Sequence, residues 1–182
     1  MNTTPLPAAM LMTMRIIVGS MLAGTLTFAA VAVFVGMSAQ REKIQDAAAP
    51  AAGPRAGGQD PLPVVSLIMA LLAAAAIPAS FAVPGAAAQQ ALRTMNRQSS
   101  IGLDDAAFWR AYQTQLIVAC GLLEGPAFAN LIAFMVEQQW WSLGIAGFCA
   151  ALIALRLPSA EGVEEWVRMQ RQRLTLQPGG AT

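Results

Sequence analysis

The chain has 182 residues, 56% of them hydrophobic and 12% charged, with a formal net charge of +1 and a mean hydropathy of +0.53. Charged residues stand at about half the usual globular share, so a soluble domain of this size could not hide its apolar surface, and so neutral a chain offers nucleic acid no electrostatic footing. There is no histidine, which excludes Ser-His-Asp and Cys-His nucleophile systems and His-ligated zinc or haem.

The first charge-free run lies between Arg15 and Arg41. Its apolar heart, Ile16 to Met37, at about 1.5 Å per residue crosses a ~30 Å hydrocarbon core. A cleaved signal peptide is the rival reading, with Ser38-Ala39 as the mimic of a cleavage site, but the run exceeds the usual core of such a peptide. Next comes AAAPAAGPRAGGQDPL, Ala47 to Leu62, rich in Pro, Gly and Ala and without periodicity. Such a stretch is expected to be extended and disordered.

The second apolar run, Pro61 to Leu92, carries no charge, and its span is expected at about Leu62 to Val83. Pro78 lies inside it and Pro84 near its end; a proline inside a span removes one backbone hydrogen bond and predicts a kink. A polar segment, Gln89 to Arg110, follows, closed by Phe108, Trp109 and Tyr112. Aromatic residues at the edge of an apolar run mark the headgroup zone.

The third run, Ala111 to Val136, holds one acid, Glu124, and the fourth, Gln138 to Leu155, opens on Trp140 and Trp141. Only Glu137-Gln138-Gln139 joins them, so an antiparallel hairpin is expected. The two cysteines, Cys120 and Cys149, fall inside these runs, where a buried structural thiol is the ordinary role. From Ser159 the residues Val163, Trp166, Val167 and Leu174 recur at helical spacing, with Glu164 and Arg168 as an i,i+4 pair. This amphipathic helix fits either the membrane surface or its own protein.

The fold class is therefore all-α: a polytopic membrane helix bundle of four transmembrane helices plus a C-terminal amphipathic helix. Its parts are a first span with short flanks (1–46), a linker (47–61), a three-helix membrane region (62–157, with spans near 62–83, 111–136 and 138–155) and a cytoplasmic helix and tail (158–182). Four spans place Arg15, Arg93, Arg97, Arg110, Arg156, Arg168, Arg171 and Arg173 on one side and Arg41, Lys43 and Arg55 on the other. Positive residues favour the cytoplasm, so both termini are expected inside. The Asn2-Thr3-Thr4 sequon would then face the cytoplasm and go unused. Scarce lysine and abundant alanine suggest a bacterial chain and hence the inner membrane.

One residue invites a mechanism. Glu124 falls near the middle of the third run, where an ionised carboxylate costs about 2.5–3.5 kcal/mol on insertion scales. No basic residue is expected at that depth, so the carboxyl should be held protonated, with Thr25, Thr27 or Ser80 as candidate hydroxyl partners. Pro126 leaves the Leu122 carbonyl without its donor and Gly125 eases a bend, so a local helix break is expected beside the acid. Gly121, Gly125, Ala129 and Ala133 form a small-xxx-small ladder suited to helix packing, within the chain or with a second copy, and Ala146, Ala150 and Ala154 form another.

The second and third spans resemble the helical hairpin of the proteolipid c subunit of rotary ATP synthases. The likeness covers residues 70–136: an Ala-rich span (LLAAAAIPASFAVPGAAAQQAL), a loop with Arg97-Gln98, and a span bearing an acid (LIVACGLLEGPAFANLIAFMV). The resemblance implies that Glu124 carries a proton. The family's glycine stripe is absent and two further spans flank the hairpin. As a whole the chain resembles small bacterial four-span membrane proteins, a likeness of fold that implies no activity.

These readings predict a non-enzymatic integral membrane protein whose surroundings are the lipid bilayer and either a homo-oligomer or a larger membrane complex. The alternative is a proteolipid-like, proton-handling subunit. No catalytic residue, metal ligand set or cofactor motif is expected; Gly57-Gly58 and Gly179-Gly180 are linker and tail glycines. One isolated acid supplies no acid–base pair for an intramembrane enzyme.

Overall fold

The computed structural model describes residues 8–48, 63–98 and 105–175, with side chains over 8–41, 63–94 and 105–173. Five helices follow in order: α1 (Ala8–Ala48), α2 (Val64–Gln98), α3 (Asp105–Glu137), α4 (Trp140–Ala154) and α5 (Ala160–Thr175). The architecture is all-helical. α1, α2 and α3 are each long and apolar enough to cross a membrane. α4 is apolar but has only 15 residues, about 22 Å of helix. The sequon, both glycine pairs and most of the 47–61 linker lie outside the described residues; Ala47 and Ala48 continue α1.

The second span runs further than its prolines suggest. α2 passes through Pro78 and Pro84 and continues to Gln98, so much of the expected polar segment is helix. Each proline removes a single N–H, and neighbouring helices can re-satisfy the freed carbonyl. α3 likewise runs without interruption through Gly125 and Pro126. The break expected beside Glu124 is thus no change of element.

α3 is the central helix, in contact with each of the other four. On one flank α1 packs against α3 and α4 through large side chains. Met14, Val18, Leu116, Cys120, Leu123 and Ile153 form one cluster, and Ala32, Leu131, Phe134 and Ala146 form a second. On the other flank α2 turns a row of small buried residues, Ser66, Ala73, Ser80, Pro84 and Ala88, to the bundle, with Ile77 beside the first cluster and buried Leu92 at its end. A seam of small residues lets two backbones approach closely.

The hairpin turn is tight. Gln138 adopts φ 57, and its N–H donates to the Phe134 carbonyl at 2.8 Å. One left-handed residue closed by a single backbone bond is a recurrent way to end a helix, although glycine usually occupies that place. α1 passes close by: a Cβ on Gly36 would lie 2.9 Å from Gln138 Oε1 and 3.0 Å from the Phe134 ring. At the other end α5 lies on the protein itself. Val167 joins Leu92, Phe108 and Ala111 in a third cluster, Trp166 stacks edge-on against Tyr112 with centroids 5.3 Å apart, and Arg171 pairs with Asp105.

Candidate functional site

Glu124 sits at the margin of the outward face of α3, which Ile117, Gly121, Gly125 and Ile132 share. It is half-buried, and no hydrogen bond or ion pair engages its carboxyl among the described residues. None of the candidate hydroxyls engages it among the described residues. Thr25 is buried and donates to the Met21 carbonyl of its own helix at 3.0 Å. Thr27 is exposed. Ser80 donates to the Ile77 carbonyl at 2.7 Å and accepts from Arg156 at 3.2 Å. Back-bonding of this kind is how a hydroxyl is usually satisfied in an apolar helix.

The small ladder on α3 does not form one seam. Gly121 and Gly125 are exposed, Ala129 is half-buried and Ala133 is buried, and a Cβ added at either glycine would meet nothing within 4 Å. A four-residue step advances about 40° beyond a full turn of a 3.6-residue helix, so such a ladder winds from one face to another. On α4 the shorter ladder begins inside the bundle, at buried Ala146 and Ala150, and reaches half-buried Ala154.

Three polar side chains hold α2 to its neighbours, and the sequence pattern marked none of them as doing so. Glu137 caps the first turn of α2: Oε1 accepts from the Val65 N–H and Oε2 from the Ser66 N–H, both at 2.8 Å. A carboxylate at a helix N-terminus satisfies orphan donors and complements the helix dipole. Asn130 is buried, and its Nδ2 donates both to Met69 of α2 at 3.1 Å and to Pro126 at 2.9 Å. Arg156, just past α4, donates from Nη2 to the Ser80 carbonyl at 2.9 Å. That carbonyl is the one whose helical donor Pro84 cannot supply. The guanidinium also lies over the Phe81 ring at 4.7 Å.

Arg156 changes the expected electrostatics. Its guanidinium reaches Ser80 and Phe81, near the end of the expected second span, so a cation is drawn in against that span. Around Arg156 a cavity of about 220 Å3 opens between α3, the end of α4 and the start of α5, lined by Tyr112, Gln115, Leu116, Arg156 and Ser159 among others. Arg15 closes the adjoining corner by donating from Nε to the Pro158 carbonyl at 3.2 Å. Cys120 and Cys149 are both buried and free.

Comparisons with known proteins return no match: no family model fits the chain, no curated protein is significantly similar to it, and no solved structure significantly shares its fold.

Proposed function

We propose that the chain is a multi-pass inner-membrane protein that crosses the bilayer four times, with both termini in the cytoplasm, and serves as a structural or accessory subunit of a membrane assembly. The observation that carries this reading is the breadth of apolar surface left open on α1 and α2. Of the most apolar window in each, only 17% is buried, against 50% for α3. Lipid can cover such faces, and so can other membrane helices. For the fourth crossing, α4 gains length from exposed Leu155 and Leu157, while the charged end of Arg156 is taken up by Ser80 and Phe81. A small remaining mismatch is absorbed by local thinning of the bilayer. The test is native mass spectrometry of the full chain extracted in mild detergent. Co-purifying subunits in fixed ratio are expected, and a lone monomer under every gentle condition overturns the assembly reading.

A second reading, the proteolipid-like proton carrier, is favoured by the position of Glu124 at the edge of an open apolar face beside two glycines that nothing approaches. A carboxyl there is costly to ionise and accessible from the lipid side. α3 rises about 20 Å from Glu124 to Glu137 but only about 7 Å back to Ala119 beside the cavity. On this reading the acid lies within about 6 Å of the midplane, on its cytoplasmic side. It predicts pH-dependent modification of Glu124 by a hydrophobic carbodiimide and loss of proton flux in Glu124→Gln. Absence of modification near neutral pH sinks it.

A further inference from the structure

We infer that the cavity around Arg156 binds the phosphodiester head group of an anionic phospholipid in the cytoplasmic leaflet. The inference rests on the chain lying in a bilayer as proposed above. Depth comes first: α3 rises about 27 Å between Ala119 at the cavity floor and Glu137 at the far end, so one hydrocarbon thickness separates the cavity from the opposite interface. The rim points the same way. Leu155 and Leu157 flank Arg156 and are 82% and 50% exposed, so in a membrane they meet acyl chains while the guanidinium lies at headgroup level.

Arg156 is placed to receive an anion. Its Nη2 is held by Ser80 and its plane by Phe81, which fixes the fork before any ligand arrives. Nε–H and the Nη1 hydrogens have no partner among the described residues, and no carboxylate forms an ion pair with it. Arginine forks match phosphate oxygens geometrically. The acids of the adjoining helix, Glu161, Glu164 and Glu165, are exposed and do not line the cavity. Gln115 lines it, and its Oε1 is buried without a donor. An orphan acceptor beside a preset cation suits a head group that carries a hydroxyl as well as a phosphate, and phosphatidylglycerol has both.

The full chain, stripped of lipid in mild detergent, is titrated with phosphatidylglycerol or phosphatidylcholine, and bound lipids are counted by native mass spectrometry. One phosphatidylglycerol is expected to bind about fivefold more tightly than phosphatidylcholine, a factor typical of one interfacial cation. Arg156→Gln should abolish the preference, whereas Arg168→Gln, which removes an exposed cation from α5, should preserve it. Because Arg156 also holds α2, Gln115→Met serves as a second variant that breaks no hydrogen bond of the fold, and it should weaken phosphatidylglycerol about threefold. Equal affinity for the two lipids, equal loss in Arg168→Gln, or no change in both Arg156→Gln and Gln115→Met overturns the site. Displacement of the lipid by millimolar inorganic phosphate overturns the assignment to lipid. Failure of the bilayer reading shows separately, as a chain that stays dissolved without detergent.

Discussion

The two flanks of α3 are built on different principles. α1 is held by interdigitated bulk: Met14, Val18, Phe28 and Phe134 fill the space, and Phe28 meets Phe128 edge-on at 5.2 Å. α2 is held by closeness, with Ser66, Ala73, Ser80 and Ala88 buried on α3. Polar clips from Glu137, Asn130 and Arg156 secure it at one end, along its length and beside Pro84. Side chains that fill a space tolerate repacking, whereas a row of small residues in close contact tolerates little added volume. In lipid this matters more, because the tails are as apolar as leucine and packing rather than water exclusion holds the helices together.

The most direct way to break this comparison is to add volume to the α2 seam. Ala73→Leu places three carbons more where the side chain is 1% exposed, and a destabilisation of about 2–3 kcal/mol is expected. Ala74→Leu, on the open face of the same helix, should be neutral. The difference is read from unfolding by SDS in mixed micelles; equal midpoints would show that the seam is not a tight contact. On the α1 flank one position behaves like the α2 seam. Gly36→Ala drives a methyl against Gln138 and Phe134, and the expected loss is about 1 kcal/mol, set against a gain in helix propensity of similar size. Combining it with Gln138→Gly removes one of the two obstructing side chains, leaving the Phe134 ring, and relieves the left-handed backbone at φ 57. A double-mutant cycle should then show positive coupling, and strict additivity would mean that the two positions do not touch.

A more local test concerns the cap. Glu137→Gln keeps the shape and removes the charge that receives the Val65 and Ser66 N–H groups. Amide exchange at those two positions should accelerate, while exchange near Leu123 and Leu131 in the core should not. Uniform acceleration along α2 would show that the carboxylate supports the whole helix rather than its first turn.

Much of the α1 flank was legible in the sequence and much of the α2 flank was not. Charge-free length reveals α1 and the existence of α2, an apolar run with a single acid reveals α3, and three residues between two apolar runs reveal the α3–α4 hairpin. The spacing of Val163, Trp166 and Val167 reveals the amphipathic α5. That spacing left two partners open because an apolar face fits lipid and protein alike; the Phe108 and Leu92 neighbours of Val167 decide for protein. The α2 seam was hidden because α2 is rich in alanine and its prolines fall on both faces, so buried Ala73 and Ala88 carry no mark that distinguishes them from exposed Ala74 and Ala75. Arg156 read as a topological charge because Pro84 and the carbonyl it frees lie far away in the chain. Glu124 is conspicuous as the only acid in its run, but spacing could not show that its candidate partners fail it: Thr25 and Ser80 turn back onto their own helices and Thr27 faces outward.

Asn130 is the smallest and sharpest case. It is fully buried, Nδ2 bridges α3 to the Met69 carbonyl, and Oδ1 has no donor among the described residues. A satisfied interhelical amide contributes about 0.6 kcal/mol in a membrane protein, and the unpaired oxygen works against even that. Asn130→Ala should therefore lower stability by about 0.6 kcal/mol or less, read by the same SDS titration. Asn130→Asp keeps the shape, replaces the donor with an acceptor facing the Met69 and Pro126 carbonyls, and should cost more than the alanine variant. If alanine proved the more damaging of the two, Asn130 would be filling space rather than bridging helices, and the α2 flank would be held by bulk after all.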